Sequence, residues 1–346
     1  MTADGRWLAS LEERARLALP APVFEYLHHG AGEGRVARRA VEAWREIDLW
    51  PGVLGDVTDV DSSVTILGRS QGLPFGVAPT TLQRAVHPEG EVAMARAVAA
   101  ADGLLVVSSN AGSTFAEIAA TGVRWWVQCY LPQRRDLAVP LLDRAREAGA
   151  EAVVLTVDTP VVATKYASTP TVWDVVDPTM LRVNFDPGYE DRAGSAKALD
   201  LTRHDVGWLS DLTGLPVVVK GVLRPEDAHV AGVAGAAAVW ISNHGGRQLD
   251  RAPTTARALA AVRAEVGRDI ELYVDGGIRS ALDLVTAYAL GADAVFLGRQ
   301  PLYALVHGEP GVRQLCRTML DDVVESLRLC GAASVHDVRS AALPRP

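Results

Sequence analysis

The sequence predicts a single (β/α)8 barrel, the TIM barrel fold, and three observations lead to this prediction. Eight short apolar runs recur along the chain. The runs are continuous rather than alternating, which is typical of parallel strands buried on both faces. Amphipathic segments separate them, and eight strands that alternate with helices favour a closed barrel. A doubly wound open sheet is the structural alternative, but no G-x-G-x-x-G motif follows the first run.

The predicted strands are bounded by turn residues. In chain order they cover residues 75–79, 104–108, 125–130, 152–157, 216–220, 237–242, 271–275 and 293–297. Several of the helical patterns between them have glycine at or near their end, which is a common helix C-cap. Pro225 lies near the start of one such pattern, where its missing N–H costs nothing.

The chain is predicted to form one domain over residues 1–346, with three additions to the barrel. Residues 1–65 are expected to form an N-terminal helical segment. Residues 161–200, after the fourth strand, are rich in Pro, Asp and Gly and are expected to form a long, lid-like active-site loop. Residues 310–346 are expected to form an amphipathic C-terminal helix.

Composition limits the classes of partner. A net charge of −8 argues against a nucleic-acid partner. No apolar run reaches the roughly 18 residues of a membrane helix, and the charged N-terminus does not read as a signal peptide. The cysteines (Cys129, Cys316, Cys330) are too widely spaced for a disulfide framework or a metal cluster. We therefore expect a cytoplasmic protein that binds neither metal, membrane nor nucleic acid.

Polar residues follow the predicted strands at the end where barrel enzymes carry their active sites. Any single one has an ordinary explanation as a cap or turn residue, but a set drawn from all eight strands is hard to explain as capping. In chain order the set comprises Pro79, Thr80, Thr81, Ser108, Gln128, Tyr130, Thr156, Asp158, Lys220, Ser242, His244, Arg247, Asp275, Gly276, Gly277, Arg279, Gly298 and Arg299.

The last two strands predict a phosphate site, because this is where the fold usually binds phosphate. "DGGIRS" and "LGR" offer glycine N–H groups and two arginines suited to bidentate bonds. Tight turns with solvated arginines are the alternative.

A flat heterocycle is predicted beside the phosphate. Lys220 ends an apolar strand, so it either forms a Schiff base or faces an anionic or electron-rich ligand. Ser108, Gln128 and Thr156 are suited to the polar edge of a ring. A ring joined to a phosphate suggests flavin mononucleotide (FMN) as the cofactor.

Several motifs give the chain a family resemblance. "FEYLHHGAG", "APT…HPEGE", "QCY", "LTVDTP", "VVVKGVLRPEDA", "SNHGGRQLD" and "VDGGIRS…ALGADAVFLGR" span almost the whole sequence. Of these, "SNHGGRQLD" is highly specific. The chain resembles the FMN-dependent 2-hydroxy acid oxidases and dehydrogenases, which include glycolate, lactate and mandelate oxidases. The resemblance implies oxidation of a 2-hydroxy acid to the 2-oxo acid, with electrons passed to FMN and then to oxygen or another acceptor.

The resemblance also implies roles for individual residues. His244 would be the base, oriented by Asp158, and Tyr130 would hydrogen-bond the substrate. The substrate carboxylate would bind Arg247, Tyr26 and Lys165. Lys220 would stabilise charge on the reduced flavin. The remaining cofactor contacts would come from Pro79, Thr80, Thr81, Ser108, Gln128, Thr156, Ser242, Asp275, Gly276, Gly277, Arg279, Gly298 and Arg299, with Asp275 among those that hold the ribityl phosphate.

Three positions depart from the family pattern. "VVATK" follows "TVDTP" where the family usually reads R-L-G-R-R, so Lys165 stands for an arginine and lacks its bidentate fork. Thr81 replaces alanine or glycine beside the flavin, and Asn110 replaces a frequent aromatic residue. These changes cluster around the substrate, so a specialised substrate is expected, such as an aryl 2-hydroxy acid like mandelate or hydroxymandelate.

Two other functions are compatible with the same scaffold. One is an FMN-dependent isomerase or lyase without net redox chemistry, and the other is a non-catalytic protein that keeps FMN for structure. The resemblance further implies a homo-oligomer, a tetramer in related proteins.

Overall fold

Eight parallel strands close into a barrel in the computed structural model, which describes residues 3–166 and 170–341. A two-stranded antiparallel hairpin precedes them. The hairpin strands are β1 (Val64–Ile66) and β2 (Arg69–Gln71). The barrel strands are β3 (Gly76–Val77), β4 (Leu104–Ser108), β5 (Arg124–Cys129), β6 (Val153–Thr156), β7 (Val217–Val222), β8 (Ala238–Ile241), β9 (Glu271–Val274) and β10 (Ala294–Leu297).

Each barrel strand pairs with the next along the chain, and β10 pairs with β3 to close the ring. The predicted fold and all eight predicted strands are confirmed, with most ends displaced by one or two residues. Continuous burial explains this success, because every residue of β4, β6, β8 and β10 is buried. A register irregularity between Lys220 and Val222 in β7 could not be read from the apolar pattern.

Large aromatic side chains fill the barrel interior. The ring centroids of Trp126 on β5 and Tyr273 on β9 lie 6.0 Å apart, although these strands are not neighbours. Those of Trp240 and Phe296 lie 3.9 Å apart. This packing makes the barrel a solid core with its chemistry confined to one rim.

Helices surround the barrel and extend it at both chain ends. They are α1 (Ala3–Ala9), α2 (Leu11–Ala18), α3 (Ala21–His28), α4 (Arg35–Arg45), α5 (Gln83–Val86), α6 (Gly90–Ala100), α7 (Phe115–Ala119), α8 (Val139–Glu147), α9 (His204–Thr213), α10 (Pro225–Val233), α11 (Thr255–Val266), α12 (Ala281–Ala289), α13 (Arg299–Leu305), α14 (Gly308–Leu329) and α15 (Val338–Ala341). None of these described helices is both long and apolar enough to cross a membrane.

The N-terminal segment is less helical than predicted over residues 1–65. Its last helix ends at Arg45, and the β1–β2 hairpin begins at Val64. The intervening "PGVLGDVTDV" contains proline and glycine, which break helices. The hairpin covers the N-terminal end of the barrel, where Arg124 at the start of β5 donates to the carbonyl of Ile66 at 2.8 Å.

The C-terminal helix predicted over residues 310–346 is interrupted. Helix α14 buries Leu315, Met319 and Val323, as its amphipathic pattern requires, and it packs on α6 and α12. It ends at Leu329, and Gly331 then takes a left-handed backbone conformation with φ of 70°. The predicted range also includes residues 342–346, which lie outside the described residues.

The long connection after β6 folds as a loop of short 3-10 turns, at Val172–Asp174, Pro178–Arg182 and Tyr189–Asp191. Asn184 holds it to the barrel, because its side chain is buried, accepts from the Phe115 N–H at 2.9 Å and donates to the Ser113 carbonyl at 3.0 Å. The ring of Trp173 meets Tyr26 edge-on, with 5.8 Å between centroids. The loop therefore lies over the C-terminal rim, and its movement as a lid stays a prediction.

Candidate active site

One cavity opens at the C-terminal rim and receives side chains from the ends of all eight barrel strands. Every predicted site residue lines it except Asp158 and Ser242, which lie directly behind lining residues. The predicted residues on its wall are Tyr26, Pro79, Thr80, Thr81, Ser108, Gln128, Tyr130, Thr156, Lys165, Lys220, His244, Arg247, Asp275, Gly276, Gly277, Arg279, Gly298 and Arg299. Within the described residues, no cluster of three or more His, Cys, Asp or Glu is arranged to hold a metal ion.

His244 and Asp158 form a directed pair at the centre of the rim. His244 Nδ1 lies 3.0 Å from Asp158 Oδ1, and the Thr159 hydroxyl donates to the same oxygen at 3.1 Å. Burial acts to raise the pKa of Asp158, but the imidazole of His244 and the charge of Lys220 outweigh it and leave that pKa below its usual value. The ionised carboxylate favours a proton on Nδ1, which leaves the Nε2 lone pair of His244 free to accept a proton.

The backbone at His244 is strained in a way that suits a functional position. His244 has φ of 56°, in the left-handed region that non-glycine residues rarely adopt. The Ser242 hydroxyl accepts from the His244 N–H at 3.1 Å, and the Asn243 side chain accepts from the Gly246 N–H at 3.2 Å. These bonds fix the turn that brings the imidazole to the rim.

Two further residues of "SNHGGRQLD", for which the sequence predicts no role, connect this turn to other segments. Gln248 donates to the carbonyls of Asp158 and Val161 at 3.0 and 3.1 Å. Asp250 accepts from the N–H groups of Glu33 and Val36, both at 3.0 Å, and so caps helix α4. Their polar character gave no sign of which segments they would join.

Two cationic side chains, Arg247 and Lys165, lie in the part of the cavity predicted to bind the substrate carboxylate. The Arg247 guanidinium lies 4.7 Å from the ring centroid of Tyr26 and donates to the carbonyls of Tyr26 and His29. Lys165 lines the same cavity, and burial together with the nearby charge of Arg247 lowers its pKa to about 8. Neither cation forms an ion pair with a described carboxylate. Two half-buried, uncompensated cations form an anion site.

Ser108, Gln128 and Thr156 form a buried chain along the adjacent wall. Ser108 donates to Gln128 Oε1 at 3.2 Å, and Gln128 Nε2 donates to Thr156 Oγ1 at 3.0 Å. All three side chains are at most 3% exposed and line the cavity. They present amide and hydroxyl groups in one row, as the polar edge of a flat ring requires.

Lys220 is held by a second buried network. Its Nζ lies 2.9 Å from Ser242 Oγ and 3.0 Å from Asp275 Oδ2, and Ser242 donates to Asp275 Oδ1 at 2.6 Å. This pairing argues against a Schiff base, because the ammonium is engaged with a carboxylate. The implied role of Asp275 beside the ribityl phosphate stays a prediction, and in this structure its carboxylate contacts Lys220 and Ser242.

Arg279 and Arg299 line the part of the cavity below the last two strands. Burial lowers the pKa of Arg299 to about 10, and the charge of Arg279 adds to this effect. Two guanidinium groups that line one part of a cavity are suited to bind an anion such as a phosphate. A Cβ added at Gly298 would meet no described atom within 4 Å, so its backbone borders open space. The residues present therefore fit FMN. Arg279 and Arg299 would bind its phosphate, the row from Ser108 to Thr156 would bind the polar edge of its ring, and Lys220 would supply a buried cation.

Gly277 and Gly298 are expected to respond differently to alanine. At Gly277 the new Cβ would lie 2.1 Å from the backbone oxygen of Ala40, and φ is 84°, so Gly277→Ala should lower the free energy of unfolding by about 3 kcal/mol. Gly298→Ala should leave stability unchanged and weaken FMN binding, because its Cβ enters open cavity space. Urea unfolding of the FMN-free variants and FMN titration measure the two effects. Equal stability of the two variants would contradict the prediction.

Several lining residues were missed because they come from the long loop, which has no periodic pattern. They are Val162, Leu181, Arg182 and Lys197. Two of the departures noted in the sequence also reach the cavity. Thr81 lines it directly, and Asn110 accepts a hydrogen bond from Arg182 Nη1 at 2.9 Å.

Comparison with known proteins also indicates an FMN-dependent enzyme, and the similarity extends over nearly the whole chain. The family model described as FMN-dependent dehydrogenase matches residues 15–345. Glycolate oxidase of Spinacia oleracea is 38% identical over 343 residues, which cover 94% of this chain and 92% of that protein. Glycolate oxidase 1 of Oryza sativa subsp. indica is 36% identical over 342 residues, with the same coverage of 94% and 92%.

Solved structures agree. A crystal structure of mandelate oxidase superposes with a TM-score of 0.89 at 37% identity and covers 96% of each chain. Mandelate oxidase with (S)-4-hydroxymandelic acid gives a TM-score of 0.87 at 36% identity, covering 96% of this chain and 97% of that one. The predicted family, cofactor and enzyme class are confirmed. The chain belongs to the FMN-dependent dehydrogenase family and is an FMN-dependent oxidoreductase.

Proposed function

We propose that this enzyme oxidises a 2-hydroxy acid to the corresponding 2-oxo acid, with His244 as the base. The observation that carries the proposal is the position of the His244–Asp158 pair at a cavity with two other features. Arg247 and Lys165 form an anion site there, and Ser108, Gln128 and Thr156 form a row of polar groups suited to the edge of a flavin ring. The relatives support it, since their names include glycolate oxidase and mandelate oxidase. A non-redox isomerase or lyase, or a purely structural use of FMN, would leave this base and its carboxylate partner without a function.

The substrate is held by its carboxylate. Arg247 and Lys165 supply the two charges, and the carbonyls of Tyr26 and His29 fix the Arg247 guanidinium in place. Tyr130 lines the cavity beside them, and burial raises the pKa of its phenol, so it acts as a neutral hydrogen-bond donor to the substrate. Fixing the carboxylate and the hydroxyl in this way orients the α-carbon.

His244 then accepts one proton from the substrate at Nε2 as the α-carbon loses two electrons. The two electrons and the second hydrogen of the substrate would pass to bound FMN, which supplies the two-electron acceptor, and the substrate becomes the 2-oxo acid. Asp158 stabilises the imidazolium that forms, and Thr159 holds the carboxylate in position through its 3.1 Å bond. Lys220 places a buried positive charge where electron density increases.

Anaerobic mixing of the FMN-loaded protein with a substrate panel tests the proposal. The panel contains glycolate, lactate, mandelate and 4-hydroxymandelate, and reduction is followed as bleaching of flavin absorbance near roughly 450 nm. We expect at least one 2-hydroxy acid to bleach the flavin, and admission of oxygen to restore the colour. If no 2-hydroxy acid bleaches the flavin, the proposal is wrong.

The KM for a monocarboxylic 2-hydroxy acid is expected to rise between about pH 7 and about pH 9. Burial and Arg247 lower the pKa of Lys165 to about 8, so its ammonium is present below that pH and is lost above it. Lys165→Arg is the matched control, because guanidinium keeps its charge across this range and its KM should stay flat. The same rise in both proteins would show that another group is responsible.

Electron acceptor, assembly and location are further parts of the proposal. We infer that oxygen, or another acceptor, reoxidises the flavin, as the oxidase names of the relatives support. A homo-oligomer, tetrameric by family resemblance, is expected by light scattering. A cytoplasmic location is supported only by composition, including the three free, buried cysteines of the described chain.

A further inference from the structure

The proposed reaction leaves two cationic side chains of the cavity without a role. Arg182 and Lys197, both from the long loop after β6, line the cavity together with Tyr130. Lys197 Nζ lies 3.7 Å from the centroid of the Tyr130 ring. A positive charge over the ring of a substrate-contacting tyrosine lies within reach of the substrate itself.

The other cations of the cavity are already matched with anions. Lys220 pairs with Asp275 at 3.0 Å. Arg279 and Arg299 face the predicted phosphate, and Arg247 with Lys165 face the α-carboxylate. No carboxylate of the described residues forms an ion pair with Lys197, whose ammonium contacts only the ring of Tyr130 among the contacts described.

Arg182 is turned toward the cavity by neighbouring groups. Its Nη1 donates to Asn110 Oδ1 at 2.9 Å, and Asn110 also lines the cavity. Its Nε donates to Glu190 at 2.9 Å on the exposed side, where that pairing is weakened by solvent. The guanidinium is thus fixed in orientation and keeps donors free for a ligand.

An uncharged substrate side chain would increase the desolvation free energy of the Lys197 and Arg182 charges. Burial lowers the pKa of Lys197 to about 8, and the charge of Arg182 adds to this, while Asp158 opposes it. Covering the ammonium with an apolar group removes more water without adding a partner. A substrate anion would instead satisfy both cations through charge-assisted hydrogen bonds.

We propose that the substrate is a 2-hydroxy acid with a second carboxylate, which Lys197 and Arg182 bind while Arg247 and Lys165 bind the α-carboxylate. This inference rests on the proposed function and names its substrate class. Lys197 and Arg182 are then specificity-determining residues, and Asn110 positions Arg182. The oxidation step is unchanged, since the second carboxylate takes no part in the transfer of electrons or protons.

Calorimetric titration of the FMN-loaded enzyme tests binding without turnover. The probes are 2-oxo acids, the product class, compared in pairs that differ in the terminal group: 2-oxoglutarate against 2-oxopentanoate, and oxaloacetate against 2-oxobutanoate. We expect the dicarboxylate of at least one pair to bind about tenfold to a hundredfold more tightly. Lys197→Met and Arg182→Leu should each reduce this preference about tenfold, and Lys197→Arg should retain it.

Arg192→Gln is the matched control, because Arg192 is an exposed cation of the same loop that does not line the cavity. It should leave the preference unchanged. The inference is overturned if wild-type enzyme binds the dicarboxylates no more tightly than the monocarboxylates, or if Lys197→Met keeps the full preference.

Flavin reduction separates failure of this inference from failure of the proposed function. With 2-hydroxyglutarate and malate added to the panel, we expect faster reduction by these diacids than by 2-hydroxypentanoate and 2-hydroxybutanoate. Reduction by mandelate or lactate with no advantage for diacids would overturn the inference and leave the oxidase proposal standing. No reduction by any 2-hydroxy acid would overturn the oxidase proposal, whatever calorimetry shows.

Discussion

Asparagine in place of His244 is expected to lower the rate of substrate-dependent flavin reduction by about a hundredfold to ten-thousandfold. Among the described residues that line the cavity, His244 is the imidazole oriented by a carboxylate, with 3.0 Å between His244 Nδ1 and Asp158 Oδ1. An amide cannot accept the proton. Anaerobic stopped-flow mixing with the best 2-hydroxy acid of the panel measures the rate directly.

The His244→Asn protein should reduce its flavin more slowly but still bind FMN. Asparagine tolerates the left-handed backbone at this position, where φ is 56°, so the turn and the nearby FMN contacts should survive. His229→Asn is the matched control, since His229 lies exposed on α10, away from the cavity. A His244→Asn protein that binds FMN and still reduces it at more than a tenth of the normal rate would show that His244 is not the base.

The barrel could be predicted because its strands are buried on both faces. A strand such as β8 (Ala238–Ile241) is apolar at every position, which gives a signal that depends on no distant partner. The polar residue that follows such a run must lie at the rim, so Lys220, His244 and Asp275 could be placed in one cavity from strand order alone. Their specific roles depended on the family resemblance.

Contacts between distant segments could not be predicted in the same way. Asp250 caps helix α4 more than 200 residues away in sequence, and Gln248 joins the turn at His244 to the loop after β6. Lys197 reaches Tyr130 through a loop without periodicity. In each case a flexible polar side chain finds its partner only after the barrel has brought the segments together, so the local sequence carries no sign of the pairing.

Methionine in place of Lys220 is expected to lower the free energy of unfolding by about 3–5 kcal/mol, because it leaves the Asp275 carboxylate buried without its cation. The double variant Lys220→Met with Asp275→Asn removes the charge from both partners and should recover most of this loss. Urea unfolding of the FMN-free proteins measures the effect without a contribution from cofactor binding. Equal stability of the single and double variants would contradict the burial explanation.

Flavin reduction then separates the stabilising role of the Lys220–Asp275 pair from its chemical role. The double variant should fold but reduce bound FMN at least about a hundredfold more slowly, because no buried cation faces the electron density that develops during the reaction. If it instead reduces FMN at the normal rate, Lys220 only compensates Asp275 and the charge contributes nothing to catalysis. Slow reduction in a protein of recovered stability can be explained only by the missing ammonium or by the amide at position 275. Asp275→Asn alone, which keeps the ammonium, distinguishes these two causes.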